Sequence, residues 1–153
     1  MKVKIDYNRH SPVVAKYSRL AETLKEEIEY EMVKATEHVV DTLSDNAPID
    51  TGDLSRSFSA MYYWDANTFH SYVTSKSAYL QFLIMGTGKY NRTGNGRQTP
   101  WTYFNSDPRS KYYGWHTTEG MKPNTFIEDS FKNEREAIRK GIKEALRRSL
   151  KDY

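Results

Sequence analysis

Peptide hydrolysis is the catalytic chemistry that the tripeptide Asp50-Thr51-Gly52 suggests, because two such loops facing each other share a proton between their carboxylates and activate water. A homodimer could supply the second loop. Here the tripeptide follows a helical pattern and Pro48 instead of a core strand, and Asp53 stands where that fold prefers a small residue. A turn capped by Asp50 or Thr51 is the better interpretation, and a dimeric aspartic-type protease is the lesser alternative.

Phosphate and metal chemistry have weaker support. Gly86-Thr87-Gly88-Lys89 resembles a phosphate cradle, but the nucleotide loop needs an earlier Gly and a following hydroxyl residue, where Leu83 and Tyr90 stand. The four histidines are scattered, without the paired spacing of a metal site. The sequence therefore predicts no catalytic residue, no cofactor and no metal, and a protein that is not an enzyme.

Length and composition limit the fold and the compartment. The chain has 153 residues, enough for one domain spanning 1–153, and it has no cysteine, which excludes disulfides and thiolate sites. No apolar run approaches the roughly 20 residues of a membrane helix, and the charged first residues do not form a signal peptide. We expect a protein that is made in the cytosol.

Two amphipathic helices should enclose the domain. Apolar residues spaced by three or four from Leu20 to Leu43 predict a long first helix within a folded core of residues 18–150, preceded by an N-terminal arm of residues 1–17. The helix should end at the segment 44–48. A second stripe, from Phe126 to Leu150, predicts a last helix that begins after Pro123.

Between the helices, two pairs of aromatic and β-branched segments predict two hairpins. The first joins 58–64 to 68–75, and the second joins 101–104 to 111–118. The apolar run 78–85 fits either a short helix or a strand. Residues 88–100, rich in glycine and charge, predict a flexible exposed loop. The fold class is α+β, an antiparallel sheet of two hairpins packed by the terminal helices.

Charge is segregated between the two helices, although the net charge is only +3. The first helix is acidic and the last is basic, so they should attract each other, within one subunit or between neighbours. The alternative is a nucleic-acid-binding module that uses the basic helix. We consider nucleic acid the less favoured partner, because the opposite charges nearly cancel.

Tyrosine and tryptophan are abundant, as is typical of contact surfaces. Packing on a half-exposed sheet is an equally good explanation. The candidates for protein interaction are the loop cations and the aromatic residues of the second hairpin: Lys89, Arg92, Arg97, Trp101, Tyr103, Tyr112, Tyr113 and Trp115.

Three patches, in this order, resemble the head–tail joining or tail-completion family of long-tailed phages and prophages, whose members are also described as minor tail components. The first is the segment 47–57, similar to the family's Ala-Pro-x-Asp-Thr-Gly-x-Leu-x-x-Ser turn after a long helix. The second is the aromatic run 79–87, which ends in Gly86-Thr87, and the third is the Pro123-x-x-Phe126 that opens the last helix. The structural turns of the resemblance are Asp50, Thr51, Gly52, Gly86, Thr87 and Pro123.

The resemblance implies a structural role without catalysis. Such a subunit is assembled into the virion, at the tail or neck, in the host bacterial cytoplasm. Its partners would be tail-tube or tail-terminator proteins and the neck or connector proteins. The family also implies a hexameric ring in the assembled state, which needs two complementary patches on each subunit. Before assembly the free protein could be a monomer.

Overall fold

The computed structural model describes residues 11–151. Its helices are α1 (Pro12–Asn46), α2 (Leu80–Met85) and α3 (Phe126–Lys151), and its strands are β1 (Phe58–Asp65), β2 (Thr68–Ser75), β3 (Trp101–Asn105) and β4 (Gly114–Thr118). Single 3-10 turns occupy Ser55–Ser57 and Gly88–Tyr90. The predicted α+β class, with long terminal helices and two hairpins between them, is confirmed.

The N-terminal boundary of the fold needs a correction. Residues 12–17, predicted to belong to an arm, are the first turns of α1. Proline is well tolerated at the first helical position, because its missing N–H would have no partner there and its φ is already helical. Pro12 therefore marks the start of a helix here. The rest of the predicted arm, residues 1–10, lies outside the described residues.

The two long helices pack against each other in antiparallel directions. Near the C-terminal end of α1, Asn46 Nδ2 donates to Ser130 Oγ at 3.0 Å. Near the middle of α1, Arg148 of α3 donates to Glu27 at 3.1 Å and to Glu31 at 2.9 Å. The attraction predicted between an acidic and a basic helix is therefore present within one subunit, which was one of the two arrangements expected.

A small core lies where α1, α2 and α3 meet. Its buried apolar side chains are Val39, Leu43, Ala47, Leu54, Leu83 and Phe126. Burying a leucine or phenylalanine fully contributes roughly 1.5–3 kcal/mol before chain entropy is subtracted. Residues 80–85, which fitted a helix or a strand, are helical and place Leu83 in this core.

The first hairpin lies on α1. Strands β1 and β2 pair in antiparallel register from Phe58 opposite Ser75 to Asp65 opposite Thr68. On the face toward α1, Tyr62 Oη donates to Glu37 at 2.6 Å and Trp64 Nε1 donates to Glu29 at 3.0 Å. Each aromatic ring thus has a carboxylate partner on the helix.

The second hairpin forms a sheet of its own. Strands β3 and β4 pair in antiparallel register, from Trp101 opposite Thr118 to Asn105 opposite Gly114. Among the described strands, the two hairpins are separate two-stranded sheets, so the one sheet expected from the sequence is divided. An isolated two-stranded hairpin is at best marginally stable in water, so β3 and β4 depend on contacts with the rest of the chain. No helix among residues 11–151 is both long and apolar enough to cross a bilayer.

Candidate interaction surface

One face of the second hairpin carries an exposed aromatic cluster. Phe104 and Trp115 are paired across the two strands, with ring centroids 5.3 Å apart, and the Tyr113 ring lies 5.6 Å from Phe104 in an edge-on arrangement. Their exposed fractions are 45% for Phe104, 58% for Tyr113 and 73% for Trp115. We call these three residues the aromatic cluster. It is a preformed apolar surface, because the rings already contact one another.

The opposite face of the hairpin turns toward a cleft. Tyr103 stands opposite His116 in the register, and their rings are 5.6 Å apart. His116 Nε2 donates to the backbone oxygen of Tyr112 at 2.6 Å, which holds Tyr112 beside that pair. Successive strand residues point to opposite faces, so Tyr103 and Phe104 belong to different surfaces.

The Asp50 turn anchors the loop between β3 and β4. The Asp50 carboxylate accepts hydrogen bonds from Ser110 Oγ at 2.6 Å and from the backbone N–H of Lys111 at 3.0 Å. Ser110 is only 7% exposed, and its hydroxyl oxygen also accepts from Asn105 Nδ2 and the Tyr112 N–H, both at 3.0 Å. The turn thus holds the middle of the loop that carries Tyr112 and Tyr113.

An arginine bridges the same turn and loop. Arg109 donates to Asp53 at 2.9 Å and to Asp107 at 2.8 Å. The hydroxyl of Thr51 and then the Arg109 guanidinium lower the pKa of Asp53 below its ordinary value. Arg109 likewise lowers the pKa of Asp107. These groups are exposed, so the bridge orients the loop more than it stabilises the fold.

The cleft between turn and hairpin has a volume of about 520 Å³ and is lined by Tyr79, Tyr103 and Tyr112 together with Asp50 and Asp107. Burial, with smaller contributions from Tyr103 and Asp50, raises the pKa of Tyr79 above its ordinary value. Tyr79 Oη donates to Met121 Sδ at 3.4 Å. The Asp50 carboxylate is occupied by Ser110 and Lys111, so its contacts support a structural role.

The loop of residues 88–100 is exposed but attached at several points. The backbone N–H of Arg92 donates to the Met85 oxygen at 2.8 Å, and its guanidinium pairs with Glu128 at 3.0 Å. Lys89 forms an ion pair with Glu119, which raises the pKa of Lys89. Arg97 lies over the Trp101 ring at 5.7 Å. Each predicted loop cation therefore has a partner within the chain.

Two glycines join this loop to the segment after β4. Gly88 and Gly120 have φ values of +57° and +120°, and a Cβ at either would overlap backbone atoms of the other segment. Thr87 and Met121 exchange two hydrogen bonds beside them: Thr87 N–H to the Met121 oxygen at 2.8 Å, and Met121 N–H to Thr87 Oγ1 at 2.9 Å. We call Thr87, Gly88, Gly120 and Met121 the glycine junction, and it is the hairpin's second anchor.

The structure divides the residues predicted to bind partners into three groups. Tyr113 and Trp115 join Phe104 in the aromatic cluster, and Tyr103 and Tyr112 line the cleft. Trp101 and the loop cations form the third group: Arg97 lies over the Trp101 ring, Lys89 pairs with Glu119, and Arg92 pairs with Glu128 of α3. Phe104 and Ser110 were not among the predicted site residues. The alternation of side chains along β3 opposite Trp115 could have identified Phe104, whereas no local pattern marks Ser110.

Within residues 11–151, no group of three or more His, Asp or Glu side chains is placed to hold a metal ion. Comparison with known protein families, with characterised proteins and with solved structures finds no match for this chain.

Proposed function

We propose that this chain is a structural assembly protein, a tail-completion or head–tail joining subunit of a long-tailed phage or prophage. It acts through protein–protein contacts and binds tail-tube, tail-terminator or neck proteins. The observation that carries the proposal is the aromatic cluster, because a preformed, exposed group of Phe, Tyr and Trp is the composition of a binding hot spot.

The three sequence patches that resemble the phage family also meet in the fold. Leu54 of the first patch, Leu83 of the second and Phe126 of the third belong to the same core cluster. The Asn124 N–H donates to the Leu83 oxygen at 2.8 Å, which links the second patch to the third. Their proximity supports the idea that the patches form one structural unit that carries the hairpin.

A binding assay with purified tail-tube, tail-terminator and neck proteins tests the proposal. We expect binding to one of them, and the substitutions Trp115→Ala and Phe104→Ala should each weaken it by about tenfold or more, as hot-spot truncations do. Tyr63→Ala is the matched control, since it removes an exposed ring from the first hairpin. Absence of binding at every salt concentration, or equal binding by all variants, would refute the proposal.

Nucleic-acid binding remains a second candidate because α3 exposes a row of cations, among them Arg139, Lys140 and Arg147. Arg148, on the same helix, is engaged by Glu27 and Glu31 of α1. If nucleic acid is the partner, affinity should fall steeply as salt rises, and neutralising the exposed cations should reduce the salt slope. Fluorescence anisotropy with labelled DNA and RNA measures both effects.

A further inference from the structure

An open strand edge runs along one side of the first hairpin. Among the described strands, β2 pairs only with β1. In the register closed by the two-residue turn at 66–67, hydrogen-bonded and non-hydrogen-bonded pairs alternate, so Ser71 and Val73 direct their N–H and C=O groups away from β1. A strand edge of this kind is a template for one more strand.

An apolar groove lies beside this edge. It has a volume of about 360 Å³, and its lining includes residues 71–73 of β2 but no residue of β1. A strand added at the edge would therefore lie over α1, on the side of α3, and would direct alternate side chains into the groove. We call it the β2 groove, and its apolar lining residues are Met32, Ala35, Val39, Val73, Phe131 and Ile138.

The first residues of the chain, which lie outside the described part, have the sequence pattern of such a strand. Over residues 1–8 the odd positions are all apolar and the even positions are all polar, as is typical of a strand with one buried face. By contrast, the cleft beside the second hairpin is lined largely by tyrosines and carboxylates, which suit aliphatic side chains less well. The odd positions are Met1, Val3, Ile5 and Tyr7.

The reach of the chain decides which copy could receive this segment. Helix α1 begins at Pro12, and the nearest residue of α1 in the β2 groove is Met32, about 30 Å further along the helix axis. The chain from Ser11 back to Ile5 spans at most about 22 Å even when fully extended. Ile5 and Tyr7 therefore cannot enter the groove of their own chain, whereas the groove of a second copy is open to them.

We propose that residues 1–8 of one copy add to the free edge of β2 in a second copy, as the third strand of its first sheet, with Val3, Ile5 and Tyr7 in the β2 groove. A sheet of three strands on a helix is also more stable than an isolated hairpin. Because the segment and the groove are different patches, the same contact can repeat from copy to copy. This inference does not depend on the proposed phage function, because it concerns contacts between copies of the isolated chain.

Sedimentation velocity of the full chain over a wide concentration range tests the proposal. We expect association that increases with concentration, and Ile5→Asp should weaken it by about tenfold or more, because a charge would have to enter an apolar groove. Phe131→Asp, on the groove side, should act in the same direction. Asn8→Asp is the matched control, because it makes the same change in net charge at an even position. A monomer at all concentrations, or equal association by Ile5→Asp and Asn8→Asp, would overturn the proposal.

Thiol cross-linking separates exchange between copies from contact within one copy, and the chain has no native cysteine. With a short thiol-reactive cross-linker, a chain carrying both Ile5→Cys and Phe131→Cys should form covalent oligomers. A mixture of the two single variants should form far more covalent dimer than either variant alone. An internally cross-linked monomer, or no cross-link between the two positions, would overturn the proposal. Circular dichroism of each variant checks that the helix content is unchanged.

Discussion

Removing the Asp50 carboxylate should separate a structural role for this turn from a catalytic one. The carboxylate accepts two hydrogen bonds, from Ser110 Oγ at 2.6 Å and the Lys111 N–H at 3.0 Å. A hydrogen bond to a charged group contributes about 1.5–3 kcal/mol, and a buried hydroxyl left without its acceptor adds to the cost. Because Asp50 is itself exposed, we take the lower end for each of the two bonds and expect Asp50→Ala to cost about 3 kcal/mol.

Thermal unfolding followed by circular dichroism measures this loss. A chain of this size loses about 2–4 °C in Tm for each kcal/mol, so Asp50→Ala should lower Tm by about 6–12 °C. Asp50→Asn keeps one acceptor oxygen and should lose about half as much. Asp45→Ala is the matched control, because Asp45 is an exposed carboxylate in the last turn of α1, near the helix end that disfavours negative charge.

The double variant Asp50→Ala with Ser110→Ala completes the test. If the two side chains stabilise the fold through their mutual hydrogen bond, the double variant should be clearly more stable than the sum of the single losses implies. Unchanged Tm in Asp50→Ala would refute the reasoning. Peptidase activity that disappears in Asp50→Asn while Tm stays constant would instead establish the dimeric protease alternative.

Three further results should follow from the contacts described above. Gly88→Ala should lower the urea midpoint more than Gly94→Ala, since both glycines have positive φ but only the Gly88 position would place a Cβ against backbone. Burial and the hydrogen bond to Glu37 raise the pKa of Tyr62 to about 12, so its stabilising effect should be complete below pH of about 10 and lost as pH rises through 12. Absorbance titration should show tyrosines that ionise late, and Glu37→Gln should shift one of them to lower pH. Arg148→Ala should lower the urea midpoint slightly at low salt and less at high salt, because its ion pairs with α1 are exposed to solvent and are screened.

Each of these three predictions would be contradicted by a specific outcome. Equal urea midpoints for the two glycine variants would show that the glycine junction tolerates a side chain. If every tyrosine ionised in the ordinary pH range, the expected rise in the pKa of Tyr62 would be wrong. A loss in Arg148→Ala that persists at high salt would mean that the arginine acts through packing of its stem and not through charge.

Periodicity and turn chemistry predicted the long elements well. The apolar stripes from Leu20 to Leu43 and from Phe126 to Leu150 both lie on helices, and both hairpins form where alternating aromatic segments flank turn residues. Such patterns depend only on the spacing of apolar residues along the chain, so they can be seen in the sequence itself. The start of α1 was missed because Pro12 was not read as a first-turn residue, although proline is favoured there.

The separation of the two hairpins could not be predicted from the sequence, because it depends on distant contacts. Ser110 and Asp50 are 60 positions apart, and neither carries a local signal of the other. The glycines of residues 86–96 suggested flexibility, yet Gly88 instead permits close backbone approach to the segment at Gly120. Composition alone does not distinguish a glycine that makes a loop flexible from a glycine that lets another backbone segment pack closely against it.

The hairpin formed by β3 and β4 is attached at the Asp50 turn and at the glycine junction. Among the residues that the structure describes, neither strand contributes a buried side chain to the helical core cluster. Such a unit can open cooperatively while α1 and α3 stay paired. Backbone amides of residues 101–105 and 114–118 should therefore exchange with deuterium earlier than those in the middle of α1. A partner that binds the aromatic cluster would stabilise the closed hairpin, so these amides would exchange more slowly. Slower exchange in β3 and β4 would therefore report binding of the partner.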